Sequence, residues 1–194
     1  MCSGPLPSGS DPGSRLAKQR SGQAWGGPSR LGVLLLTLGL ASGVGAVGVG
    51  EPAPAFELPG LREQDGAALR RLSDFRGQVV YVDFWASWCG PCVISAPLLD
   101  DLRRRLVAEG AAFEILAVDV DEDPAKGIDF LLDQPVSYLA LRDPAGTAPG
   151  LYALRGMPTG YLLDQQGVVR LVHEGFKPAD IRLIEAEIRQ LLAK

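Results

Sequence analysis

Apolar residues follow several rhythms along this chain. Residues 3–30 show none: they are rich in Ser, Gly and Pro, and no packed structure is expected of them. Leu31 to Gly50, LGVLLLTLGLASGVGAVGVG, is uncharged throughout. Val79, Val80, Tyr81, Val82, Phe84 and Trp85 form a β-branched and aromatic run, the pattern of a central strand covered on both faces. Only Asp83 interrupts it. Val93, Ile94, Leu98, Leu99, Leu102 and Leu106 then recur at helical spacing. Cys-Gly-Pro-Cys lies between the two, with Pro91 suited to a first helical turn, so the pattern places Cys89 at a helix N-terminus.

The remaining elements follow from the same reading. EPAPAFELPGL begins at Glu51, and its prolines at 52, 54 and 59 exclude a central strand; they predict an extended edge segment or short hairpin. Past the helix, Ala112–Val120 reads as a second, parallel strand entered by way of Gly110. Pro124–Leu132 reads as a short helix, Val136–Leu141 as a strand, and Pro144–Tyr152 as a loop with room for a helical turn. Strands at Gly160–Asp164 and Val168–His173 flank a turn ending at Gly167. Ala179–Leu192 closes the chain as a helix with Ile181, Ile184, Ile188, Leu191 and Leu192 on one stripe.

Charge changes the picture at the N-terminus. The chain has 194 residues and a formal charge of −4, which suits one domain or slightly more. Arg15, Lys18, Arg20 and Arg30 face a single acid, Asp11, ahead of the uncharged segment. This divides the chain into a basic disordered region (1–30), a membrane-targeting segment (31–50) and an exported domain (51–194). A retained anchor and a cleaved signal fit equally well: twenty uncharged residues just span a bilayer, while six glycines dilute them and Val44-Gly45-Ala46 offers a cleavage site. The N-terminal segment contacts the membrane in either case, and the domain resides in the periplasm or on the outer face of the inner membrane. Cys2 precedes the apolar stretch, so a lipidated cysteine is not the reading. The exported part is more acidic than the whole chain, which excludes nucleic acid as a partner.

Two of the three cysteines remain in that part. As a structural staple their two-residue spacing would contribute little, because so short a loop removes little chain entropy. A zinc site would need further ligands, and His173 is the only histidine. The redox reading fits better. Orphan N–H groups and the helix dipole favour a thiolate at Cys89, making it the attacking sulfur, with Cys92 one turn inside to resolve. Asp83, a carboxyl within an apolar strand, is costly to ionise. Trp85 and Trp88 read as core and rim, and His173 as a solvated sheet residue.

VDFWASWCGPC, followed by Pro97 five residues past the second cysteine, resembles the signature of the thioredoxin superfamily. Gly156-Met157-Pro158-Thr159 is similar to that superfamily's cis-proline loop. The resemblance implies an α/β thioredoxin-like fold, a central mixed sheet flanked by helices, with no cofactor and no metal. It makes Cys89 and Cys92 a redox-active pair and Asp83 the acceptor of the Cys92 proton. It also makes Trp88, Gly90, Pro91, Met157, Pro158 and Thr159 the substrate-contact residues, with the backbone of residue 157 presented to an incoming peptide. Two departures stand out: Gly160 replaces a bulkier polar residue, and Val118 stands where a lysine often neighbours the aspartate.

The opening from Glu51 and an inserted βα unit before the proline loop resemble the membrane-associated TlpA and ResA branch. The opening also resembles peroxiredoxins, but that family's proline and Thr or Ser are Val82 and Ala86 here. The implied protein is a monomeric thiol:disulfide oxidoreductase acting on protein disulfides or dithiols, supplied by a membrane electron donor. Its Gly-Pro dipeptide resembles that of the reductant thioredoxin. A disulfide-donating oxidant and a redox-gated binding module remain the alternatives. Thr159-Gly160 lacks the acidic residue of the cytochrome c maturation branch.

Overall fold

A computed structural model describes residues 46–194. Cys2, the basic region and most of the 31–50 segment lie outside them. The domain's first contacts come just ahead of Glu51: Gly50 N–H donates to Val169 O at 2.8 Å, and Val47 packs on buried residues.

The run at 79–85 forms β3 (Val79–Trp85), with every residue buried. It is central in a five-stranded mixed sheet. The parallel strands β4 (Phe113–Asp119) and β5 (Leu139–Arg142) lie on one side of it. On the other lie the antiparallel β6 (Thr159–Leu163) and β7 (Val169–Glu174). The order is β5-β4-β3-β6-β7. The proline-rich opening is indeed a small hairpin, β1 (Glu57–Pro59) against β2 (Leu69–Arg71), forming a sheet of its own.

Alternate residues of β3 enter two cores. Val79, Tyr81 and Trp85 join the core that α1 (Gly90–Ala108) and α4 (Asp180–Leu192) cover with Leu99, Leu102, Leu106, Ile184 and Ile188. Val80, Val82 and Phe84 join the other, closed by Phe56, Leu58, Leu72 and Tyr152. In that second core Phe84, Tyr152 and Tyr161 pack ring on ring at 4.8–6.0 Å.

The inserted unit comprises α2 (Pro124–Asp133), capped by Asp123, then β5 and the short α3 (Thr147–Leu151). One sequence expectation shifts here. The strand expected from Val136 begins only at Leu139, because side chains capture the backbone before it. Arg62 donates to Val136 O (2.9 Å) and Tyr138 O (2.8 Å), and Asp100 accepts from Ser137 N (2.6 Å). The 144–152 loop contains α3, whose end carries the buried Tyr152.

Candidate active site

The site lies where β3 ends and α1 begins. Cys89 is the N-cap residue, with extended φ −85° and ψ 102°, so it sits at the helix mouth among N–H groups that lack intrahelical acceptors. Cys89 and Cys92 form a disulfide, Cα atoms 5.3 Å apart. Both are nearly covered, at 4% and 1% exposed, while Trp88 beside them is 68% exposed. Gly90, Pro91, Val93 and Ile94 are exposed too, giving the pair an apolar rim. Pro97 lies within α1 and leaves one helix carbonyl without its usual donor.

The proline loop supplies the second part. The Met157–Pro158 peptide is cis. Pro158 O accepts from Gly175 N at 2.8 Å, and Thr159 Oγ1 donates to Gly156 O at 2.8 Å, fastening the loop from both sides. Thr159 is buried, so its hydroxyl closes the loop and does not reach outward. Met157 packs on the core that contains both cysteines, and its N–H and C=O enter none of the backbone hydrogen bonds among the described residues.

Asp83 supplies the third. It lies between Tyr81 and Trp85 in the alternation of β3, and so on the α1 side of the sheet. It is 3% exposed and has no hydrogen bond or ion pair among the described residues. Burial pushes its carboxyl up to about 7. The register corrects one expectation. Asp83 pairs with Ala117 on β4, whereas Val118 pairs with Phe84 and faces the other core. The neighbour is a methyl group, and no cation among the described residues faces Asp83. On β6 its partner is Gly160, and a Cβ there would overlap the Tyr81 hydroxyl. The ring of Tyr81 thus fills the space that a side chain at 160 would need.

His173 is less solvated than its sequence position indicates. Its side chain is 13% exposed, 3.4 Å from the Asp180 carboxylate and edge-on to Phe176. Trp85 is core, its ring tilted against Phe130 with centroids 4.9 Å apart, and Trp88 is rim. Sequence reasoning passed over Asp121, whose carboxylate accepts from Ser87 N (2.8 Å) and Ser87 Oγ (3.1 Å) and so ties down the turn before Cys89. Its signal was an acid at a strand's end, one residue type among the several acids of VDVDED.

Two sulfurs that close a disulfide at a helix N-terminus, in the core on which Met157 of the cis-proline loop packs and on the sheet face that carries the unpaired Asp83 carboxyl, are an arrangement suited to thiol–disulfide exchange. A family model, described as the AhpC/TSA family, matches residues 49–172. The chain belongs to the AhpC/TSA family. It is 31% identical over 127 residues to the thiol-disulfide oxidoreductase ResA of Oceanobacillus iheyensis, across 66% of this chain and 65% of that protein. To the thiol:disulfide interchange protein DsbE of Pseudomonas aeruginosa it is 32% identical over 123 residues, 63% of this chain and 64% of that one. The chain thus spans about two thirds of these relatives' length. A crystal structure from Chlorobium tepidum, assigned to a thiol:disulfide interchange protein DsbE, superposes with a TM-score of 0.70 at 39% identity. That match covers 76% of this chain and all but 1% of the other. The mixed sheet flanked by helices is the thioredoxin-like fold of these neighbours, and the dithiol, without a proline at 82 or a hydroxyl at 86, separates this site from the peroxide-reducing pattern.

Proposed function

We propose that the protein is an exported thiol–disulfide oxidoreductase that reduces disulfides of other cell-envelope proteins. The observation that carries this reading is the Cys89–Cys92 disulfide at the N-terminus of α1. Reduced, Cys89 is the thiolate that the helix end stabilises, and it attacks a substrate disulfide. A Cys89–substrate disulfide forms and one substrate thiolate leaves. Cys92 then passes its proton to the Asp83 carboxylate and attacks the Cys89 sulfur, which releases the second substrate thiolate and closes the intramolecular disulfide. Two electrons pass to the substrate, and a membrane-bound dithiol donor returns the pair to its reduced form. The exposed rim of Trp88, Gly90 and Pro91 meets the substrate, while the Met157 backbone pairs with its extended chain and Pro158 and Thr159 hold that loop in place.

Residues 31–50 target the domain across the membrane, and the domain acts as a monomer. The test is a trap combined with turnover. The reduced protein reduces insulin with a chemical thiol as electron source, and Cys92→Ser accumulates mixed disulfides through Cys89. Absence of turnover alongside redox-dependent binding of a partner would replace the enzyme with a redox-gated binding module. A midpoint potential near that of known oxidants would reverse the direction, since ~30 mV corresponds to ~1.4 kcal/mol for this couple.

A further inference from the structure

A second buried acid lies one strand from Asp83, and the exchange chemistry does not use it. Asp119 closes β4 beside Trp85 and is fully buried. One of its oxygens, Oδ2, has no partner among the described residues. Its other oxygen accepts from Asp121 N at 3.2 Å. The backbone of α2 sits directly on this carboxyl, since a Cβ at Gly127 would overlap it. Asp121, 3% exposed, is the residue that holds both the N–H and the hydroxyl of Ser87. From Ser87 the turn runs through Trp88 to Cys89, whose N–H bonds back to Ala86 O at 3.1 Å.

We propose that Asp119 is a positioning residue of the redox site: it keeps a proton on its enclosed carboxyl, and in that neutral state its Oδ1 accepts from the Asp121 N–H, so that Asp121 grips Ser87 and fixes the turn that ends at Cys89. Two buried acids two residues apart cannot both ionise cheaply; Asp121 has two donors from Ser87, whereas Asp119 has one N–H and an unpartnered oxygen, so Asp119 is the one that keeps its proton. Burial pushes Asp119 up to about 8; the Asp121 N–H opposes the rise and the charge of Asp121 reinforces it. The proton is therefore present at neutral pH and lost as pH rises through about 8, when two like charges face each other under α2. The charged groups on the packed elements are Asp83 on β3, Arg142 and Asp143 at the end of β5, and Glu122, Asp123, Lys126, Asp129 and Asp133 before and along α2. None of them bonds to either carboxyl.

The inference rests on Cys89 being the attacking sulfur, and its test separates the two claims. Full-length Cys92→Ser protein in detergent is mixed with insulin from pH 6.5 to 9.5, and formation of the Cys89 mixed disulfide is timed. Its rate should climb as Cys89 ionises, then fall roughly threefold above pH 8 as the turn loosens, well within the ~100-fold that a 1 Å misplacement can cost. Adding Asp119→Asn, which is neutral at every pH and keeps the Oδ1 acceptor for the Asp121 N–H, should remove the fall. Adding Asp119→Ala should slow attack roughly tenfold at pH 7, with the Asn variant restoring it. Superimposable profiles for the aspartate and asparagine proteins would overturn the positioning role and leave Cys89 intact. No mixed disulfide through Cys89 at any pH would overturn the exchange reading itself. Should the variants not fold, carboxyl-carbon NMR of the unsubstituted protein decides: one aspartate besides Asp83 titrates above pH 7, whereas titration of all the others below pH 5 refutes the retained proton.

Discussion

Asp164 and Asp83 are buried to nearly the same degree, at 5% and 3% exposed, at opposite ends of the paired strands β6 and β3. Their surroundings are opposite. Asp164 turns the chain between β6 and β7 at the end where the N-terminal segment enters the domain. It accepts from Gln166 N, Val168 N and the Arg170 guanidinium. Burial pushes it up, but those donors outweigh burial and hold it below the ordinary carboxylate value. Asp83 has burial alone and rises to about 7. The sheet thus satisfies its buried acid at the structural end and leaves one unsatisfied at the chemical end. An unpaired buried acid costs stability, and in the proposed mechanism it serves as a proton acceptor that works near neutral pH.

Breaking the chemical end should have the largest effect. Cys89→Ser should reduce insulin turnover by more than ~1,000-fold while thermal unfolding of the reduced protein hardly changes, because the lost group is the nucleophile itself. A residual rate within tenfold of the parent would mean that another sulfur attacks.

The contrast between the acids then makes a prediction about stability with pH. Between about pH 4 and 7 folded Asp83 keeps the proton that the unfolded chain releases, so its contribution to stability declines as pH rises through that window. Asp83→Asn should therefore stabilise the protein by up to about 4 kcal/mol at pH 8 and hardly at all at pH 4. Asp164 has the reverse sign: its contribution is present at neutral pH and lost on acidification, so Asp164→Asn should cost about 2 kcal/mol at pH 7. Denaturant titrations at the two pH values check both. Parallel responses from the two variants would erase the distinction.

Gly160→Ala sharpens the chemical end at smaller scale. Overlap with the Tyr81 hydroxyl should cost about 2 kcal/mol, and shortening Tyr81 to Leu in the same chain should recover part of it. The smallest effect belongs to the structural end. A chain beginning at Glu51 loses the Gly50–Val169 bond and the packing of Val47, and should still fold with a deficit of about 1 kcal/mol. Loss of cooperative unfolding would show that residues 46–50 are integral to the domain.

Much of the site was legible because two periodicities abut there. An apolar strand run gives way at Cys89 to helical spacing, and that change of rhythm alone locates both sulfurs and the helix end. Prolines 52, 54 and 59 likewise announced a segment kept out of the centre of the main sheet, which it meets only at the edges, at Val168 and Leu141. What eluded the sequence depends on contacts between distant residues. Strand β5 starts late because Arg62 and Asp100, from elsewhere in the chain, take the backbone groups of 136–138. The neighbour of Asp83 was displaced by one residue, Val118 for Ala117, because register is a property of two strands and a slip of one reverses the face. Asp119 and Asp121 look alike in VDVDED, and only the fold makes one an orphan and the other a clasp on Ser87.

The measurement that bears most directly on the central claim is stopped-flow timing of the two half-reactions across pH in the parent and in Asp83→Asn. The account predicts that attack by Cys89 stays nearly the same while release of the mixed disulfide slows at pH 7 by roughly ten- to a hundredfold. That gap should close in alkali, where Cys92 gives its proton to solvent. Equal release rates in the two proteins at pH 7 would contradict it and leave Asp83 a buried residue of the strand with no part in the chemistry.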